Sequence, residues 1–184
     1  RYARISAYYS QQWKRFSMEP HTHRSCEVMY VLSGECKVFA DGQEFPLKRN
    51  QLVFLDEGAR HSLLVETPCC MMNLEFSCEG PGIDLRSLWE GSPEPARFRA
   101  DVRPVKRMYD SSSVGPALRD LISELEREKG GEPYLTGLLF QRFLVELSRC
   151  RETETSGIRY LRRARKYMAE HFDEDLRVED IAQE

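Results

Sequence analysis

HTHRSCEVMYVLSG, residues 21–34, is the stretch whose reading decides the fold. His21 and His23 stand one residue apart, Glu27 follows, and an apolar, β-branched and aromatic run then stops at Ser33-Gly34. Side chains two apart on a strand project from the same face, so the two imidazoles share a direction and a carboxylate further along can close on the same centre. Cys26 directly precedes Glu27, so on a regular strand it points away from that centre.

Outward from this segment, the chain between Cys26 and Phe76 reads as short strands: CEVMYVL, CKVFA, QEFPL, QLVFL, HSLLVE and CMMNLEF. Between them lie Ser33-Gly34, Asp41-Gly42, Lys48-Arg49-Asn50, Asp56-Glu57-Gly58 and Thr67-Pro68, residues that favour tight turns through positive φ or local side-chain hydrogen bonds. The spacing predicts an antiparallel β-sandwich or barrel, with Asp41-Gly42 as its clearest hairpin. Ile5 to Met18 is expected to add one or two edge strands. CEGPGIDLRSLWEGSPEP, after Phe76, fits a connection rather than a central strand.

Helical periodicity then takes over. Leu118, Leu121, Ile122 and Leu125 recur at steps of three and four within Pro116 to Lys129, and Gly130-Gly131 ends the run. Pro133 to Cys150 places Leu135, Leu138, Leu139, Phe143, Leu144 and Leu147 on one broad stripe. Most of this stripe reads as core, and the remainder as a surface for a second copy, because a helical pair on a small barrel has limited area to bury against. A third helix is expected from Ile158 to Phe172, with His171 near its end and Arg159, Arg162, Arg163, Arg165 and Lys166 around it. The fold class is α+β: an antiparallel barrel, a helical hairpin and further helices.

Composition narrows the function. The 184 residues are 41% hydrophobic with a formal net charge of -3, which supports a real core and argues against a surface that binds nucleic acid throughout. No apolar run is long enough to cross a bilayer, and the opening RYARISAYYSQQWKRF lacks the apolar block of a signal peptide, so no membrane partner and a cytoplasmic location are expected. Six cysteines, at 26, 36, 69, 70, 78 and 150, lack zinc-finger spacing and read as reduced thiols. Cys69 and Cys70 could hold a soft metal or an arsenical, although neighbours on a strand face opposite ways.

The pattern His-x-His, three residues, Glu27, six residues, Gly34 resembles the first cupin motif. NQLVFLDEGARH, residues 50–61, resembles the second: Gly58 and His61 match, while Asn50 and Asp56 stand where the family usually has Gly and Pro, and Val65 where it often has Asn. The resemblance implies a jelly-roll barrel with His21, His23, Glu27 and His61 in its interior. That set suits Zn, Fe, Ni or Mn with open coordination positions. It equally suits a small-molecule effector held by hydrogen bonds, with Met29, Val31, Val53 and Phe54 as inward residues that set the pocket's shape.

IRYLRRARKYMAEHFDEDLRVEDIAQE, at the C-terminus, is similar to the start of the AraC-type DNA-binding domain, with Leu176, Val178, Glu179, Asp180, Ile181 and Ala182 on the pattern and Arg177 where a Ser or Thr cap is usual. Together the two resemblances identify the chain with AraC-type bacterial transcription regulators. They imply an effector-binding barrel over residues 1–80, a connecting segment over 81–113, a dimerising helical hairpin over 114–150, and a linker with the truncated start of a helix-turn-helix domain over 151–184. The chain begins at Arg1, and a fragment is expected whose reading helix follows Glu184. Arg159, Arg162, Arg163 and Lys166 would contact DNA phosphates in the longer protein. The implied partners are a small-molecule effector, DNA and a second copy, with no catalytic residue; the alternative is a metal-dependent cupin enzyme, a dioxygenase or isomerase.

Overall fold

The computed structural model describes residues 2–78, 81–101, 103–152 and 167–168. The chain divides into two units, Arg1–Glu152 and Thr153–Glu184. Only Tyr167 and Met168 of the second unit are described. Arg159, Arg162, Arg163 and Lys166, and the expected third helix around them, lie outside the described residues.

The first unit is built from two antiparallel sheets. Its strands are β1 (Tyr2–Trp13), β2 (Phe16–His21), β3 (Cys26–Ser33), β4 (Glu35–Ala40), β5 (Gln43–Lys48), β6 (Gln51–Leu55), β7 (His61–Val65), β8 (Cys69–Ser77), β9 (Ile83–Asp84), β10 (Val105–Tyr109) and β11 (Arg151–Glu152). Its helices are α1 (Arg86–Gly91), α2 (Pro93–Ala100), α3 (Val114–Leu125) and α4 (Pro133–Arg149). One sheet has the order β11-β10-β6-β3-β8-β1-β9 and the other β2-β7-β4-β5.

The alternation of each strand shows why there are two layers of core. β4 buries Cys36, Val38 and Ala40, β5 buries Phe45 and Leu47, and β7 buries His61, Leu63 and Val65, so the smaller sheet has one inward face and one wet face. β3, β6 and β8 are buried on both faces and therefore read as nearly continuous apolar runs. Met29, Val31, Val53, Leu55 and Met71 meet the smaller sheet inside the barrel. Val28, Tyr30, Leu52, Phe54, Met72, Leu74 and Phe76 meet α3 and α4 through Leu118, Leu121, Phe140 and Phe143. Phe54 is thus a correction: it belongs to the helix-facing core, because β6 puts its neighbours Val53 and Leu55 inward and adjacent residues on a strand cannot share a face.

The edge strands expected from Ile5 to Met18 are β2, at the edge of the smaller sheet, and β1, which pairs with β8 along most of its length and is covered by β9 on its other side only at Tyr2 and Ala3, ahead of that stretch. One further expectation changes. Residues 81–113 are more than a connection, because they contain α1, α2 and β10, and β10 pairs with β6 from Val105↔Leu55 to Tyr109↔Gln51. The Asp41-Gly42 hairpin forms with φ of 51° and 70°, the positive pair that a two-residue turn between twisted strands requires. Asn50 has φ 62°, which explains why glycine is the usual cupin residue there and why asparagine can replace it.

Asp110 joins the barrel to the helices. Its Oδ1 accepts the backbone N–H groups of Ser112, Ser113 and Val114 at 2.8–3.1 Å, and its Oδ2 accepts from Gly115 N and the Tyr30 hydroxyl at 2.8 and 2.9 Å. The first turn of α3 is thereby capped by a side chain that also anchors β3. A Cβ at position 115 would lie 2.6 Å from the Tyr30 oxygen, so only glycine fits. Burial pushes the Asp110 carboxyl up, yet the four N–H donors outweigh it and hold the pKa below its ordinary value.

Asp110→Ala should destabilise the protein by about 3 kcal/mol, since it removes a cap and strands buried donors. A depressed carboxylate contributes stability that is present above its unfolded pKa of about 3.9 and is lost as pH falls through the lower folded value. Urea unfolding of wild type and Asp110→Asn should give a constant stability gap above about pH 5 that shrinks towards pH 3. A gap independent of pH would remove the charge from this account.

Candidate functional site

The polar centre of the barrel is assembled from both sheets. His21 ends β2 and sits opposite His61 of β7, so these two imidazoles come from adjacent strands of the smaller sheet. Glu27 comes from β3 in the larger sheet, paired with Leu55 on one side and Glu75 of β8 on the other. His23 lies beyond the end of β2, and its position is set by a turn rather than by strand alternation: its carbonyl accepts Gly58 N–H at 3.0 Å, with Gly58 at φ 76°. The ring centroids of His61 lie 4.4 Å from His21 and 5.1 Å from His23.

Each imidazole is anchored in the same way. Nδ1 of His21 lies 3.0 Å from Glu19 O, Nδ1 of His23 2.9 Å from Ser25 O, and Nδ1 of His61 2.9 Å from Ala59 O. A carbonyl oxygen only accepts, so all three Nδ1 atoms carry the proton and, in the neutral rings, Nε2 carries the lone pair. Yet Glu27 Oε2 lies 2.8 Å from His61 Nε2 and 3.1 Å from His23 Nε2. Lone pairs facing a carboxylate repel, so the arrangement requires either a proton on Nε2 or a cation between the groups. His61 Nε2 is buried and, despite its short distance to Glu27, lacks the alignment of a hydrogen bond.

The electrostatics agree with that requirement. Glu27 is 2% exposed, and burial pushes its carboxyl up, but the closeness and charge of His61, followed by the hydrogen bond and charge of His23, bring its pKa below the ordinary value. Burial pushes His61 down, while Glu27, Ala59 O and the charge of Glu75 outweigh it and raise its pKa. Ligand atoms of His21, His23 and His61 all lie within 4.8 Å of one another, and so do those of His23, Glu27 and Glu75.

Around this centre stand residues that the sequence reading did not single out. Glu75 faces Glu27 directly, and two like charges opposed on neighbouring strands are unfavourable unless something positive lies between them. Asn73 shares a row with Met29 and Tyr9, and its Oδ1 is buried without a hydrogen-bond partner; so is Trp13 Nε1. Burial, then the charges of Glu27 and Glu75, raise the Tyr9 pKa and keep its hydroxyl protonated as a donor. Met29, Val31 and Val53 lie in the apolar interior below the polar centre, and Cys26 points away, with its thiol 3.4 Å from Asp56 Oδ1. Phe54 lies on the opposite face of its sheet.

A cleft of about 620 Å³ lined by Pro20, Phe39, Arg60, Ser62 and the β4–β5 hairpin reaches His61. A second, of about 630 Å³, lies between β1, β9 and α4 and has none of the histidine cluster in its walls. Only the first borders the histidine cluster, through His61, whose imidazole is itself buried. Among the described residues no helix is long and apolar enough to cross a membrane.

Comparison with known proteins gives this geometry a family. All of the chain superposes on 71% of ToxT from Vibrio cholerae, at 12% identity and a TM-score of 0.53, in a structure with (E)-4-(8-methylnaphthalen-1-yl)but-3-enoic acid bound. A predicted oxalate decarboxylase from Thermotoga maritima matches 39% of this chain at 23% identity and a TM-score of 0.36, and the EutQ protein of Clostridium difficile matches 40% at 16% and 0.35. The chain spans 65% and 57% of the lengths of those two proteins. No curated protein matches it. The family model for the AraC-like ligand binding domain matches residues 5–144, and the chain belongs to that family.

Proposed function

We propose that this chain is the effector-sensing and dimerisation region of a ligand-responsive transcription regulator that acts on DNA through a C-terminal helix-turn-helix domain. A small molecule reaches the barrel at the histidine cluster, and the helical pair α3–α4 joins two copies. In the longer protein Arg159, Arg162, Arg163 and Lys166 contact phosphates. The effector acts by binding one arrangement of barrel and helices better than another. The observation that carries the sensing half is the convergence of His23, His61 and Glu27 on one buried point that calls for positive charge. ToxT, whose fold this chain shares, is described with an acid bound.

The donor set fits a divalent metal. Three Nε2 atoms with their Nδ1 partners already fixed on carbonyls have the orientation that metal-ligating imidazoles need, and Glu27 adds a hard oxygen. Zn, Fe, Ni or Mn held by His21, His23, His61 and Glu27 would supply positive charge and open positions for an effector's oxygen atoms. The same set supports a metal-dependent cupin enzyme as a second reading. The family match favours the regulator.

Part of α4 suits a second copy. Phe140, Phe143, Leu144 and Leu147 are buried, whereas Tyr134, Leu135 and Leu138 on the first half of α4 stay exposed, at 75%, 40% and 47%. An apolar group of that size on one helix is a candidate for symmetric association.

Three outcomes test these readings. Calorimetric titration of chelator-treated protein with Zn or Ni should give one ion per chain, and His61→Ala should weaken binding more than about a hundredfold, a loss larger than those typical of outer-shell changes being expected for a ligand; absence of binding removes the metal. In metal-free protein, Glu75→Gln should raise stability by about 0.5 kcal/mol by relieving the cross-strand repulsion, while Glu27→Gln should lower it by about 2 kcal/mol through loss of the charge that holds His61 and His23. Equal effects of the two would contradict the assigned geometry. Light scattering should report a dimer that Leu138→Glu converts to a monomer, and an unchanged dimer would move the interface elsewhere.

A further inference from the structure

Glu75 has no place in the cupin motifs, yet the fold sets it beside the polar centre. It stands directly across from Glu27, on β8 against β3, and the alternation of Met71, Asn73 and Glu75 gives it the inward face. Directly opposed residues on antiparallel strands bring their Cβ atoms to about 5 Å, so the two carboxyl groups share one neighbourhood. One ligand atom each from His23, Glu27 and Glu75 lies within 4.8 Å of the other two. Donors on opposite sides of one ion, each at roughly 2.1 Å, stand roughly 4.2 Å apart, so this group has the span of a single coordination sphere. Glu75 is half-buried and makes no hydrogen bond or ion pair with a described residue. Its neighbours offer it no positive charge, since Glu27 and Ala7 flank it across the sheet and Leu74 and Phe76 along the strand. On the other side of Glu27, the buried His61 Nε2 lies 2.8 Å from Oε2 without a hydrogen bond, aimed at the same space.

We propose that Glu75 is a fifth ligand of the metal centre and shapes it for a six-coordinate ion such as Mn(II) or Fe(II) over tetrahedral Zn. This rests on the reading of His21, His23, Glu27 and His61 as a metal site. Two carboxylates balance the charge of a divalent ion, so the filled site is neutral, whereas Glu27 alone leaves a single positive charge in a largely apolar interior. Three imidazoles and two carboxylates exceed the four donors of a tetrahedral zinc site and leave one position of an octahedron open. Reaching the ion asks little of Glu75, which has three side-chain torsions and no hydrogen bond to break. The repulsion between Glu27 and Glu75, unfavourable in the metal-free protein, is replaced by the attraction of both to the ion.

A carboxylate that stays outside the coordination sphere acts differently. It attracts every divalent ion through charge alone, so its removal weakens Mn and Zn by the same factor. A ligand matters most to the ion that uses it.

The test uses the whole chain, stripped with chelator, as wild type and as Glu75→Gln, titrated by calorimetry with Mn(II) and Zn(II) in turn. The substitution keeps the size of the side chain and removes the cross-strand repulsion, so the metal-free variant should fold as wild type does. Mn should bind on the order of a hundredfold more weakly to Glu75→Gln and Zn less than about tenfold more weakly, since only the six-coordinate ion loses a ligand. Pulsed electron paramagnetic resonance of the Mn-loaded chain in oxygen-17 water reads the sphere directly, with one coordinated water expected in wild type and two in Glu75→Gln. Equal losses for the two metals, two waters already present in wild type, or a wild type that takes Zn and not Mn would overturn Glu75 as a ligand and leave the centre a metal site. A wild type that binds neither ion overturns the metal reading together with this one.

Discussion

The structure depends on one electrostatic constraint: two imidazole Nε2 atoms and a nearly buried carboxylate share a point, while each imidazole has already spent its other nitrogen on a backbone carbonyl. A buried carboxylate without compensation would cost several kcal/mol. Here the compensation comes from positive charge on or between the rings, and the fixed carbonyls at Ser25 and Ala59 prevent the rings from turning away to find another partner. The surrounding loops make sense as supports for that point. Gly58 holds His23 by its carbonyl, and the irregular register near His21 lets β2 end where its imidazole can meet His61. The polar centre adjoins a barrel interior packed largely with Met, Val and Leu, in which the buried Asn73 Oδ1 and Trp13 Nε1 are left without partners.

The sequence made much of this legible because the informative residues lie on strands with strict alternation or in short spaced motifs. The spacing of His21, His23, Glu27 and His61 led to one centre, and the structure brings those four together. The cupin resemblance carried the decisive part, since strand phase alone cannot bring β2 and β7 of one sheet against β3 of the other. Glu75 and Asn73 escaped notice for a physical reason. CMMNLEF is apolar on both faces, so its period of two is hidden, and the inward set of Met71, Asn73 and Glu75 emerges only from the register with β3. Phe54 was misplaced by the same ambiguity, because in QLVFL every residue after the first is buried.

Helix and strand assignments after Phe76 show where local pattern loses to tertiary context. β10 carries Lys106, whose ammonium is buried against Phe98 and donates to Phe98 O and Asp101 O at the end of α2. A charged residue in the middle of a strand argues against a central position until one sees that the last turn of α2 supplies carbonyl acceptors for it. Likewise Leu135 and Leu138 fit the apolar stripe of α4 in sequence but stay exposed, because the helix's first turns bury Thr136 and Gly137 instead, the latter against Ile83 of β9.

The two-faced strands bear on how a site inside the barrel can influence helices outside it. β3 carries Glu27 and Met29 inward and Val28 and Tyr30 outward, and Tyr30 ends on Asp110, which caps α3. β8 repeats the arrangement with Glu75 inward and Leu74 and Phe76 outward, the last in edge-to-face contact with Phe140 of α4. The two strands lie side by side in the larger sheet, with their opposed carboxylates on the inner face. The hydrogen-bonded ladder holds these strands at a fixed spacing, and the same strands form the floor on which α3 and α4 rest. Close-packed interiors resist continuous deformation, so a shift of this strand pair must be met by repacking at Tyr30, Leu74 and Phe76. Coupling from the barrel to the helices therefore requires no long-range pathway, only the thickness of one sheet.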